Sequence, residues 1–282
     1  MTASTTNQPS SSPSRDYVLG THDEELKRLG FQHSLWRDHA TALWRRAGFT
    51  TGSAILDVGC GPGFGTLDLS QLVGPTGRVV AVDLSTKYVE HVRSLNLANV
   101  EAHVADVQAL STSLPQAASN SFDAAYARWL LCFVPDPQRV VDDVARLLKP
   151  GGRFAIQDYY NYRAIKLAPR SEPLERVIHA VDESWRLRGG DPDVGCRLPG
   201  MLSRAGLRVM HLEPIVRLAR PSDPLWQWPT TFFRIFIPSL VEMGLLTSED
   251  ERAFHQDWEA HANDPNAFFS TPPMVEVVGE KG

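Results

Sequence analysis

The chain has 282 residues, 43% hydrophobic and 22% charged, the balance of an ordinary globular protein with a core to bury. Its net charge of −5 argues against a nucleic-acid backbone or an anionic membrane as its main partner. No apolar run is long enough to span a bilayer, and Cys60, Cys132 and Cys196 are too far apart, with no C-x-x-C, to suggest a disulfide framework or a zinc site.

Residues 1–16, "MTASTTNQPSSSPSRD", are rich in Ser, Thr and Pro and lack the apolar core of a secretory signal, so a disordered tail is expected. With the cysteine usage this makes a reducing cytoplasm the expected compartment. Thr21 followed by Glu24 forms a capping-box pattern. Leu26, Leu29, Trp36, Leu43 and Trp44 then recur at helical spacing. One or two helices are expected over 21–47, broken near Gly30.

From residue 54 strands and helices alternate. "AILDVG" (54–59), "RVVAVD" (78–83), "VEAHVAD" (100–106), "FDAAYAR" (122–128) and "RFAIQDY" (153–159) read as strands. The helices fall at 66–73, 85–97 with Ser85 as cap, and 137–148, and "KPGG" turns the chain into the fifth strand. This rhythm predicts a mostly parallel sheet covered on both faces. Residues 171–188 and 197–205 read as helical and 207–219 as a strand. Residues 222–262 place Trp226, Trp228, Phe232, Phe233, Phe236, Phe254 and Trp258 mainly at helical spacings. "MVEVVGEK" (274–281) alternates like an edge or antiparallel strand.

Gly59, Gly61 and Gly63 directly follow the first strand, where an open parallel sheet binds its ligands, and glycine permits close ligand approach. A dinucleotide fingerprint would need a third glycine where Phe64 stands, and no Gly-Lys-Ser/Thr follows for a phosphate-binding loop. What fits is "ILDVGCGPG", "VVAVDLS", "VADV", "FDAAYARWLLCFVPDP" and "RLLKPGGRF", in that order. Over about residues 50–160 this resembles the class I S-adenosylmethionine-dependent methyltransferases, in particular the small-molecule group related to the ubiquinone and menaquinone methyltransferases. The resemblance implies a Rossmann-like, seven-stranded, mostly parallel α/β sheet with helices on both faces and an antiparallel last strand. Around it are expected N-terminal helices over 17–48, a cofactor-binding core over 49–160, and a C-terminal part over 161–282. A helical insertion at about 222–262 is expected to serve as substrate lid.

The resemblance also implies roles. Asp57 anchors the loop and the cofactor's amino group, while Gly59, Gly61 and Gly63 pass its methionine and ribose. Asp83 takes both ribose hydroxyls, as a carboxylate does well. Leu84 packs on the adenine, with Asp106 at its amino group and Val107 beside the ring. Arg128 lines the methionine end. Tyr17 and Gln32 are candidates to fold over the cofactor. Bland readings stand beside these: Tyr17 only packs, Asp106 is a turn residue, Cys60 is filler, and the 222–262 aromatics are core. Asp158 and Tyr159, at the end of the fifth strand, and His33 are the candidate bases, with His179 behind them. Tyr159, Trp228 and Phe232 are the candidate acceptor contacts.

The expected function is methyl transfer from S-adenosylmethionine, leaving S-adenosylhomocysteine, to a small, apolar or aromatic acceptor at O, N or C. No metal and no nucleic acid are expected; "YARWL" stands where a nucleic-acid methyltransferase would carry Asn/Asp-Pro-Pro-Tyr/Phe. Monomer and homodimer both stay open. The alternatives are carboxyl methylation of a peptide or protein and, in another class, a non-catalytic S-adenosylmethionine-binding protein.

Overall fold

The computed structural model describes residues 23–114 and 119–282. The Ser/Thr/Pro-rich start, Tyr17 and Thr21 of the expected capping box lie outside the described residues. The described chain opens on one helix, α1 (Asp23–Arg46), without the break expected near Gly30. Gly30 is there for space: a β-carbon on it would lie 2.9 Å from Cζ of Phe64, so it marks close packing and not a helix end.

Strand β1 (Ala54–Val58), helix α2 (Phe64–Val73), β2 (Arg78–Asp83), α3 (Thr86–Ser94) and β3 (Val100–Val104) follow. A short 3-10 turn, Val107–Ala109, leads into α4 (Leu110–Ser113). Next come β4 (Phe122–Arg128), α5 (Pro137–Leu147) and β5 (Leu148–Tyr159). Local chemistry sets several of these starts. Ser85 caps α3 by accepting the Tyr88 N–H, and Asp136 caps α5 by accepting the Arg139 N–H, with Pro137 in the first turn, where its missing N–H costs nothing.

The C-terminal part contributes β6 (Lys166–Ala168), α6 (Glu172–Leu187), α7 (Leu198–Arg204), β7 (Leu207–Ile215) and β8 (Leu218–Ala219). Then come α8 (Gln227–Glu242), α9 (Ser248–Ala262), β9 (Phe268–Ser270) and β10 (Met274–Lys281). The main sheet has the order β3-β2-β1-β4-β5-β10-β7. Pairs among β1 to β5 are parallel, and β10 runs antiparallel to both β5 and β7. β10 is therefore an interior strand, with six of its eight residues buried, and β7 holds the edge. The strand expected over 207–219 stops at Ile215; residues 218–219 join a separate small sheet, β6-β9-β8, that the sequence pattern did not reveal.

The strand order reverses between β1 and β4, which opens a crevice beyond their carboxyl ends. Helix α1 reaches both layers around it. Trp44 packs with Ile55, Leu69 and Tyr126 on one sheet face. Trp36, two turns earlier, joins a larger cluster that holds Val58, Trp185, Trp228 and Phe254. The aromatic helices α6, α8 and α9 thus share a core with the carboxyl end of the sheet.

Candidate functional site

The turn after β1 hangs on the end of β2. The Gly59 and Cys60 N–H groups both donate to the Val82 carbonyl at 2.9 Å, and the Gly61 N–H donates to Asp83 Oδ2 at 2.8 Å. Gly59, Gly61 and Gly63 have φ of 70°, 53° and 87°, values side chains resist. A β-carbon would strike Leu130 at 2.6 Å from Gly59 and Val92 at 2.5 Å from Gly63. At Gly61 it would meet no described atom within 4 Å. Gly61 is therefore the position where the bare backbone faces open space.

That space is a cavity of about 520 Å³, of a size that suits a small-molecule site. Asp57, Gly59, Gly61, Asp83, Leu84, Asp106, Val107 and Arg128 all line it, as do Gln32, His33, Tyr159, Trp228 and Phe232. Gly63 is the exception: it caps α2 in the left-handed conformation behind the lining. Asp83 holds the Gly61 N–H on one oxygen and the Ser85 N–H on the other at 2.8 Å, so it organises the loop whatever else it binds. Asp57 accepts the Thr66 hydroxyl at 2.7 Å. Burial pushes its carboxyl up to about 6, partly offset by that hydrogen bond and by the Arg128 charge. Asp106 caps the 3-10 turn by accepting the Gln108 N–H.

At the other end the lining is aromatic. Trp129 stacks on Trp228 at 6.1 Å and on Tyr159 at 6.2 Å between centroids, and Tyr159 meets Tyr162 and Trp185. The Trp228 N–H donates to Gln32 Oε1 at 2.7 Å, and Arg28 donates to the same oxygen at 3.0 Å. That bonding ties α1 to α8 across the cavity.

Two candidate bases are not available for the task assigned to them. Successive strand residues point to opposite faces, so Asp158 and Tyr159 cannot both face the cavity. Tyr159 lines it; Asp158 is fully buried behind it and accepts the Cys132 and Tyr159 N–H groups. Burial raises its carboxyl to about 6, but without access that carries no base role. His33 lines the cavity with both ring nitrogens engaged: Nε2 with Asp68 Oδ2 and Nδ1 with Arg128 Nη2, each at 3.0 Å. Burial, with the Arg128 charge next, lowers its pKa. Tyr159 is also held protonated, since burial pushes its phenol well up. His179 lines a different surface hollow, beside Arg163 and Lys166.

Sequence reasoning passed over several lining residues. Trp129 has a φ of 50°, rare for a bulky residue and a sign of local strain at a site. Its ring joins the wall that Trp228 and Tyr159 form. The only sequence signal was an aromatic residue directly after a strand's carboxyl end. Arg28 and Glu25 form a bidentate pair at 2.7 and 2.6 Å, both nearly buried; their i, i+3 spacing was visible, their burial was not. Trp185 lines the cavity with its indole N–H buried and unpaired among the described residues, as is Nη1 of Arg128. Away from the cavity, His211, Glu213 and Glu276 could together hold a metal ion among the described residues. Glu276 already receives Arg46, Gln157 and His211, which leaves Glu276 satisfied by side chains. No described helix is long and apolar enough to cross a membrane.

Residues 56–156 match the methyltransferase domain family. A demethylmenaquinone methyltransferase from Lactococcus lactis is 36% identical over 122 residues, 43% of this chain and 47% of that protein. Methyltransferase GfsG of Streptomyces halstedii is 29% identical over 73% of this chain and 70% of its own. The chain thus spans about half the length of the first of these. Among solved structures, geranyl diphosphate C-methyltransferase from Streptomyces coelicolor superposes with a TM-score of 0.56 at 18% identity, over 96% of this chain and 91% of that one. That likeness speaks for the fold.

Proposed function

We propose, on the premise that residues 56–156 match the methyltransferase domain family, that this protein transfers a methyl group from S-adenosylmethionine to a small, largely apolar acceptor. One observation carries the reading: the bare Gly61 backbone, Asp83, Asp106 and the aromatic wall line one continuous cavity. The residues present fit the cofactor. Nη1 of Arg128 is a buried donor without a partner among the described residues, a costly state that a carboxylate would relieve. Asp57 suits the ammonium, Asp83 the ribose hydroxyls, and Asp106 with Val107 the adenine. When bound, S-adenosylmethionine supplies an electrophilic methyl group.

The chain's own part is alignment and the exclusion of water. Helices α1 and α8, joined through Gln32 and Trp228, serve as the lid over the acceptor end. With Asp158 turned away, His33 engaged and Tyr159 held protonated, none of these three candidate bases is placed to take a proton from an acceptor. This favours an acceptor that arrives as an activated carbon or an already ionised oxygen, and the reading calls for no metal. The quinone-ring and isoprenoid acceptors in the relatives' names are consistent with the apolar wall. The indole N–H of Trp185 and the hydroxyl of Tyr159 are the groups positioned to meet oxygen on such a molecule.

Calorimetry tests the cofactor. S-adenosylhomocysteine should bind at one site per chain and NAD should not; binding of NAD alone would overturn the reading. Affinity should also follow Asp57. Burial pushes its carboxyl in the free site up to about 6, and it must be ionised to hold the ammonium, so affinity should be full above that pH and lost as pH falls through it. Between pH 7 and 5 the Kd should rise about tenfold, by proton linkage. Asp57→Asn should bind weakly with a flatter profile over that range, and a wild-type profile in this variant would remove Asp57 from the role.

A further inference from the structure

The geometry points to His33 as a positioning residue that holds Arg128 ready for the carboxylate of the bound cofactor. This rests on the proposed function and adds a residue that acts through another. Arg128 closes β4 and lines the cavity. Its Nη2 donates to His33 Nδ1 at 3.0 Å, and its guanidinium lies 4.9 Å from the Trp129 ring centre. Its Nη1 is buried with no partner among the described residues.

The tautomer of His33 follows from its neighbours. A guanidinium only donates, so Nδ1 must be the acceptor and the ring proton must sit on Nε2. There it donates to Asp68 Oδ2 at 3.0 Å. Asp68 is in turn clamped by Arg37, at 2.7 Å on each of its two oxygens. Arg37 and His33 come from α1, Asp68 from α2 and Arg128 from β4, so the chain of bonds crosses three elements. Phe64 stacks on the imidazole, 6.0 Å between ring centres. The result is a ring fixed in orientation and tautomer whose lone pair faces Arg128. With Nη2 engaged this way, Nη1 is the buried nitrogen of the fork without a partner among the described residues, and the group that best pairs with a buried guanidinium N–H is a carboxylate.

The histidine therefore does not remove a proton from the acceptor. It keeps Arg128 from folding against other partners and leaves one side of its fork for the ligand. Removing the ring frees the guanidinium to turn away, and the loss should fall on carboxylate recognition alone.

Two probes separate this from a packing role: S-adenosylhomocysteine and its decarboxylated analogue, S-adenosyl-3-thiopropylamine, titrated by calorimetry. Wild type should prefer the carboxylate ligand by roughly 10- to 100-fold, the range expected for a hydrogen bond to a charged group. Arg128→Met should abolish that preference. His33→Leu should lower it about tenfold by weakening only S-adenosylhomocysteine, and His33→Asn, whose amide oxygen can take the place of Nδ1, should restore much of it. An unchanged preference in His33→Leu overturns the role. So does an equal loss for both ligands, the signature of damaged packing, or a preference in His33→Asn as low as in the leucine variant. If wild type binds neither nucleoside, the methyltransferase reading itself fails and takes this role with it; if it binds both equally, the reading stands and only the role of His33 and Arg128 falls.

Discussion

Gly61→Val should bind no measurable S-adenosylmethionine and still fold. A β-carbon there meets no described atom within 4 Å; the isopropyl group it carries projects from a loop that lines the cavity and should take the ligand's place. The backbone cost is that of a side chain at φ 53°, about 1–2 kcal/mol, which for a chain of this size lowers Tm by about 2–4 °C per kcal/mol. Gly63→Val is the contrast. Its β-carbon would lie 2.5 Å from Cγ2 of Val92, on the packing of α2 against α3, so that variant should lose stability first. Thermal melts and calorimetry on the pair separate the two effects. Normal donor affinity in Gly61→Val would mean that no ligand lies against this loop.

Asp83→Ala should cost donor affinity about 100-fold or more. In the proposed site the carboxylate offers its remaining lone pairs to two ribose hydroxyls, and hydrogen bonds to a charged acceptor contribute about 1.5–3 kcal/mol each. It also holds the Gly61 and Ser85 N–H groups, so the variant loosens the loop that the ligand rests on. Burial pushes this carboxyl up while the N–H groups of Ser85, Gly61 and Leu84 pull it back. Asp83→Asn separates the two jobs, since an amide oxygen can still receive one N–H. It should keep more of the wild-type melting behaviour than Asp83→Ala yet bind the donor poorly. Unchanged affinity in Asp83→Ala would remove this residue from the cofactor site.

Turnover offers a complementary reading of the aromatic wall. Trp228 and Phe232 line the aromatic end of the cavity, the end proposed for the acceptor, and truncating either should lower product formation from a true acceptor far more than it lowers donor affinity. Trp228→Phe, which keeps an aromatic ring, though a smaller one, but loses the bond to Gln32, should show how much of that effect comes from tying α8 to α1.

Much of this protein was legible in its residues alone. The alternation of apolar strands and capped helices from residue 54 onward follows from local periodicity, and so does the parallel core of the sheet. The glycine turn after β1 and the acids after β2 and β3 are local signals too, and strand polarity places them at one end of the sheet. What local pattern could not carry was the phase and the partners. Period-two alternation says that Asp158 and Tyr159 face opposite ways; only the folded chain, which bonds Asp158 to the Cys132 N–H and stacks Tyr159 on Trp129, decides that the tyrosine faces the cavity. Gly30 looked like a helix break until Phe64, far along the chain, was seen to need its space. His33 had the chemistry of a base, but its two partners lie 35 and 95 residues away, and their charges and geometry turn it into a fixed acceptor for Arg128. Trp129 and Trp185 became cavity wall for the same reason. A side chain's reactivity depends on what desolvates it and what it bonds to, and those neighbours are brought together by the folded chain over distances that no local sequence pattern records.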